Sequence, residues 1–117
     1  VPRIYRSRVD TADFVLAGPD APDDGGTEFH VVRPGPDGRD DYHGARVVLS
    51  DFRNGPYEDP DYVFPADDTY IVIDGEIVME IEGLEPQTLT AGDIASFEKG
   101  TKAKYSIRDF VRWVCVR

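Results

Sequence analysis

The stretch TYIVIDGEIVMEIE, from Thr69 to Glu82, decides the fold. β-Branched and aromatic residues crowd the side before Asp74-Gly75, and Ile, Val and Met fill the side after it. Asp-Gly suits a two-residue hairpin turn with positive φ angles, so the stretch reads as two antiparallel strands and a tight turn. Beyond the turn, Ile77, Met79 and Ile81 alternate with Glu76, Val78, Glu80 and Glu82. That period of two gives one core face and one wet, largely acidic face. Before the turn, Tyr70 and Val72 share the face of Asp68, while Ile71 and Ile73 point outward.

Strand patterns continue on both sides. Downstream they cover Gln87–Thr90, Ile94–Glu98, Lys102–Ile107 and Phe110–Arg117, with turns at Ala91-Gly92-Asp93 and Lys99-Gly100. Upstream, Ala45–Phe52 precedes a turn at Arg53-Asn54-Gly55-Pro56, and Thr27–Arg33 has strand composition. Residues 10–26 and 34–44 are rich in Pro, Gly and Asp and read as loops, with 10–17 the one stretch suited to a short helix. Many short strands at regular turn spacing imply an all-β sandwich or barrel.

The chain has 117 residues, a length for one domain, and its 12 Phe and Tyr plus Trp113 supply core bulk. Its formal net charge of −10 is unevenly spread: residues 54–98 carry 12 acids and no base, and 99–117 carry 1 acid and 6 bases. Such a surface repels polyanions, which argues against nucleic acid and anionic membranes as partners. Cys115 is the only cysteine, so no intramolecular disulfide forms. It sits in a strand pattern and reads as a small buried apolar residue. No apolar run approaches a membrane span, and no signal-peptide stretch opens the chain. A soluble cytoplasmic protein is expected.

From Gly55 onward the sequence resembles the cupin superfamily, which implies a double-stranded β-helix, or jelly-roll, barrel. The first cupin motif is Gly-x5-His-x-His-x4-Glu-x6-Gly; Gly55, Asp61, Val63, Asp68 and Gly75 fall at its spacing. The second is Gly-x5-Pro-x-Gly-x2-His, matched in position by Gly92, Glu98, Gly100 and Ala103. The closing GTKAKYSIRDFVRWVCVR is most like the group containing the ethanolamine-utilisation Q protein and (S)-ureidoglycine aminohydrolase, with Tyr105 where that group has Trp. The resemblance implies one cupin domain over 1–117, with strands and loops in 1–44 and the core barrel in 45–117.

The three histidine positions of the motifs are vacated, and Asp68 alone keeps ligand character. A shorter variant of the first motif puts Tyr62 and Phe64 at the histidine positions instead of Asp61 and Val63. A slip of one residue swaps the inward set, so both registers stand at this point. Under either, a three-His, one-Glu site is absent, and no metal and no cofactor is expected.

The candidate residues follow from the barrel. An inward Asp68, desolvated, is a general acid or base, and Tyr70 and Tyr105 would aim hydroxyls into the same interior. His30, mid-strand, would exchange protons near neutral pH if it faced the barrel. Tyr62, Phe64, Ala103 and Trp113 would shape a substrate pocket, and an inward Arg46 or Arg112 would hold a substrate carboxylate. Each also has a structural reading: the tyrosines as core, the histidine and arginines on a wet face, Asp68 as a paired carboxylate. His43, in a loop, is expected to face solvent.

Two functions of different class compete. One is a metal-independent isomerase, lyase or cyclase using acid–base groups on a small organic molecule; the other is a non-catalytic ligand-binding or scaffold module. A metal enzyme with substituted ligands is a third option. The excess of Asp over Glu and Arg over Lys is that of a GC-rich genome, with secondary metabolism as a setting. A homodimer is expected, since outward Ile71 and Ile73 need cover. The cupin strand order would also bring Glu58, Asp59 and Asp61 beside Lys102, Lys104 and Arg108.

Overall fold

A computed structural model describes residues 4–16, 26–34 and 46–117. Most of both expected loops, His43 and the 44/45 boundary lie outside those residues. Among the described residues the elements are all strands: β1 (Val15–Leu16), β2 (Glu28–Arg33), β3 (Val47–Phe52), β4 (Tyr57–Val63), β5 (Asp68–Ile81), β6 (Gln87–Thr90), β7 (Ile94–Phe97), β8 (Lys102–Ile107) and β9 (Val111–Val116). They pair in the order β1-β2-β3-β9-β5-β8-β4, with β6 and β7 also on β5, and every pairing is antiparallel. The described part of 10–17 forms no helix. Val15 and Leu16 instead pair with Phe29 and Glu28.

The central stretch is not a hairpin. Residues 68–81 run as one strand, and Asp74-Gly75 is a corner within it. The first half pairs with β7 and β9; the second half pairs with β6 and β8. A bulge between Val72 and Asp74 against β9 shifts the alternation by one residue. Asp68, Tyr70 and Val72 are buried before it, and Ile77 and Met79 after it. Gly75 takes φ 75° and packs against the Phe110 carbonyl, where a Cβ would come within 2.2 Å. An Asp-Gly pair supplies positive φ equally to a hairpin turn and to such a corner, so the local signal is the same.

β5 therefore closes two facing sheets into a curled barrel. Phe52, Phe64, Tyr70, Val72, Ile77, Met79, Leu89, Phe97, Tyr105, Ile107 and Val111 fill the space between them. Fully burying a side chain of this kind contributes roughly 1.5–3 kcal/mol. β9 lies at the centre of the first sheet, bonded to β3 on one side and β5 on the other.

The two outward faces differ. Opposite β4 and β8, β5 presents Glu80 beside Lys104, which bonds Glu58 at 2.5 Å and approaches Glu80 at 3.6 Å. Of the three acids expected beside the basic strand, Glu58 alone makes an ion pair among the described residues. On the other sheet, the row Ile94, Ile71, Val114, Leu49 and His30 crosses β7, β5, β9, β3 and β2. Ile94 is 68% exposed. Toward β2, this face is covered by residues 9–14: Arg112 Nη1 donates to the carbonyls of Val9 and Thr11, and its guanidinium lies over the Phe14 ring. Among the described residues no helix is long and apolar enough to cross a membrane.

Candidate functional site

The β4–β8 register decides which motif residues face inward. Tyr62 stands opposite Ala103 and Val63 opposite Lys102. Tyr62 and Phe64 thus point into the barrel, and Phe64 is 1% exposed, while Asp61 and Val63 face solvent. A bulge between Asp59 and Tyr62 sets this phase, with the Asp61 amide donating to Asp59 Oδ1 at 3.0 Å. Pro60 lies in the bulge on an edge strand, where its missing N–H costs no ladder bond.

Between the β2 and β4 edges, a cavity of about 50 Å³ enters the barrel. Its walls are Tyr62, Tyr70, Tyr105 and Trp113, with Thr27 just before β2, Phe29 on it, and Ile77, Met79 and Ile107 behind. Tyr62 and Tyr105 meet nearly at right angles, with ring centroids 5.5 Å apart, and Tyr70 lies 5.9 Å from Trp113. The space admits one or two water molecules or one small chemical group.

Behind Tyr70, at the barrel end, lies a polar cluster. Asp68 is fully buried, and Arg117 Nε stands 2.9 Å from its Oδ1. The contact is one of charge: among the described residues no aligned donor reaches either carboxylate oxygen. Desolvation raises the Asp68 pKa, and Arg117 offsets part of the rise. Tyr70 is held far above the usual phenol range, first by burial and then by Tyr62, Cys115 and Asp68 around it. Burial also pushes the Cys115 thiol up to about 11. Tyr70 and Cys115 keep their protons at neutral pH, a poor setting for a nucleophile.

The EutQ-like cupin domain family matches residues 61–114. Solved structures match the fold. Ethanolamine utilization protein Q of Salmonella typhimurium, so described as putative, is 20% identical, with a TM-score of 0.59 over 78% of this chain and 68% of that one. An RmlC-like cupin from Methanocaldococcus jannaschii with a double-stranded β-helix fold is 15% identical, with a TM-score of 0.60 over 100% of this chain and 90% of the other. Residues 61–114 thus match a cupin family model, and the fold is the cupin double-stranded β-helix. Clostridium difficile EutQ is 16% identical, with a TM-score of 0.59 over 87% of this chain and 72% of its own. No curated protein matches the sequence.

Here the inward register gives Tyr62, Phe64 and Ala103 at the three histidine positions of the cupin motifs, beside Asp68. Phe64 stacks on Phe97 at 4.4 Å, and Ala103 is in the core. One carboxylate already paired with an arginine, one phenol and two apolar side chains do not fit a first-row transition metal, which prefers imidazole or thiolate. Among the described residues no three His, Cys, Asp or Glu side chains gather to hold an ion.

Of the ten candidate residues, Tyr62, Tyr70, Tyr105 and Trp113 come together around the cavity, whereas Asp68, Phe64 and Ala103 lie off its walls. His30 and Arg112 do not face the barrel. His30 shares the outward row of Leu49, bonds the Asp13 carbonyl through Nδ1 at 2.8 Å and packs edge-on to Phe14. Arg112 pairs outward with Asp51 at 2.7 Å. Strand parity relative to Phe29 and Trp113 puts both on the outer face. Arg46 is exposed at the barrel end, where its backbone exchanges two hydrogen bonds with Arg117.

Sequence reasoning missed Arg117, Phe29 and Asp59. Arg117 and Phe29 were legible by period two, from Cys115 and from β2. Asp59 was not, because its inward position opposite Tyr105 depends on the bulge.

Proposed function

We propose that this chain binds a small organic molecule at the barrel mouth without a metal, one group of the ligand entering the aromatic cavity and the remainder staying at the rim between β2 and β4. The observation that carries this reading is the cavity itself, which sets Tyr62, at one vacated ligand position, among Tyr70, Tyr105 and Trp113 while remaining connected to solvent. Apolar and aromatic walls with few convergent polar groups are the usual make-up of a ligand site. A reducing, cytoplasmic setting suits its single buried thiol.

The test is a fragment titration followed by the indole N–H resonance of Trp113, the only tryptophan. Saturable shifts confined to Trp113 and its neighbours are expected. A fragment library that moves residues elsewhere, and never Trp113, would remove the barrel mouth as the site.

A second reading makes the same site an isomerase, lyase or cyclase by acid–base chemistry. It is favoured by Asp68, whose carboxyl is buried with a raised pKa. In that reading Asp68→Asn abolishes turnover of a bound molecule while leaving its binding intact. Unchanged turnover would remove Asp68 from the chemistry.

For the outward row around Ile71 and Ile94 we propose a second copy of the chain as cover. Along one strand, β5 presents isoleucine to this side and glutamate to the other, a contrast expected where one face meets protein and the other water.

A further inference from the structure

We infer that the group received by the aromatic cavity is a small organic ammonium cation, an inference that rests on the ligand-binding reading of the barrel mouth proposed above. Five of the nine residues around the cavity are aromatic, and none is basic. An anion would find no cationic partner in these walls, and its desolvation would go uncompensated. A cation is attracted by the quadrupoles of tyrosine and tryptophan rings, and most strongly where water is largely excluded. Tyr62 and Tyr105 meet at 82°, so they form two perpendicular walls rather than a stacked pair.

A second observation comes from the rim. Asp59 stands opposite Tyr105 in the β4–β8 register and so lies on the inward side of β4, half-buried. Its Oδ1 accepts from the Asp61 amide, and among the described residues no base pairs with it. Glu58, its outward neighbour, has Lys104. The carboxylate that the bulge turns inward thus has no counter-charge among the described residues, and it stands opposite Tyr105, a wall of the cavity, in a chain of net charge −10. That field draws cations toward the mouth. The cationic charge nearest the cluster, Arg117, is already matched by Asp68.

The volume limits the ligand. About 50 Å³ takes an ammonium or methylammonium head, with any longer chain lying out along the β2–β4 rim. The probes are three ligands of equal length, n-butylammonium, 1-butanol and butyrate, titrated separately into the full chain and followed by the Trp113 indole resonance. Butylammonium is expected to bind about fivefold or more tightly than butanol, and butyrate not at all. Asp59→Asn keeps the acceptor for the Asp61 amide. It should weaken butylammonium about fivefold while leaving butanol unchanged. Equal affinity for butylammonium and butanol, or a shift with butyrate, overturns the cation assignment and leaves the barrel-mouth reading standing. No Trp113 shift with any of the three overturns both. Because the wild-type series alone distinguishes these results, the test stands even if the variant fails to fold.

Discussion

A Cβ on Gly75 would lie 2.2 Å from the carbonyl oxygen of Phe110, closer than any side chain is tolerated, and the residue holds φ at 75°. Two penalties meet at one atom. The left-handed backbone costs an alanine about 1 kcal/mol, and the clash is with main chain that cannot swing away. Gly75→Ala is therefore expected to lose about 3 kcal/mol or more in urea unfolding, or not to fold. Gly92→Ala is the control: φ is 95° but nothing lies within 4 Å, so only the backbone penalty of about 1 kcal/mol applies. Equal losses would mean that the corner yields.

Asp51 is 5% exposed and holds Arg112 at 2.7 Å and Arg53 at 2.9 Å. Removing the buried acid strands Arg112 under residues 9–14, so Asp51→Ala should cost about 3–5 kcal/mol. Arg53 is half in water, and Arg53→Ala should cost less than about 1 kcal/mol. Chemical denaturation of both variants measures the difference. Similar losses would show that burial does not set the value of this pair.

Burial raises the Asp68 pKa in the folded state, so over a window above the ordinary carboxylate value the fold holds a proton that the unfolded chain has lost. Its contribution is most favourable in acid and is lost as pH rises through the raised pKa. Asn does not ionise. The stability of Asp68→Asn relative to wild type should climb as pH rises above the ordinary carboxylate range, read from urea midpoints. A flat difference would mean that Arg117 fully offsets desolvation.

With its pKa pushed up to about 11, the Cys115 thiol is only about one part in a thousand thiolate at about pH 8. Iodoacetamide should alkylate the native chain at least about tenfold more slowly than the urea-unfolded chain. Matching rates would place the thiol in solvent.

If a second copy covers the outward isoleucines, the native mass in light scattering is twice 13.1 kDa. Ile71→Glu, a charge beside Ile94 in that row, should bring it to the monomer while Val63→Glu, on the opposite side, does not. A wild-type monomer at high concentration would remove the proposal.

How far residues alone lead can be judged at β5 and β4. The alternation of Ile77, Met79 and Ile81 was visible because burial on one face writes itself directly into sequence. The corner at Gly75 was not, since the dipeptide meets the same φ requirement in a hairpin and in a bend; which one forms depends on β9, more than thirty residues later. The inward set of β4 depends on a bulge whose one local sign is Pro60. His30 and Arg112 look no different inward or outward, because the outer face of β3 is itself buried under residues 9–14 and so lacks the polar signature of a wet face. The aromatic residues of the cavity were recognisable as a group. Their closeness to one another came only with the pairing of β4, β5, β8 and β9.

The central place of β9 has a consequence for synthesis. β3 ends at Phe52 and waits for a partner ending at Val116, about sixty residues further along. At about 5–20 residues per second, the ribosome takes roughly 3–13 s to supply it, besides the time for the segment to clear the exit tunnel. Through that interval β3 and the first half of β5 each present an unpaired edge, and those edges are the Val-Leu and Tyr-Ile-Val runs most inclined to pair with another nascent chain. The emerging polypeptide thus needs an interval of protection that the finished barrel, with β9 seated between its neighbours, no longer does.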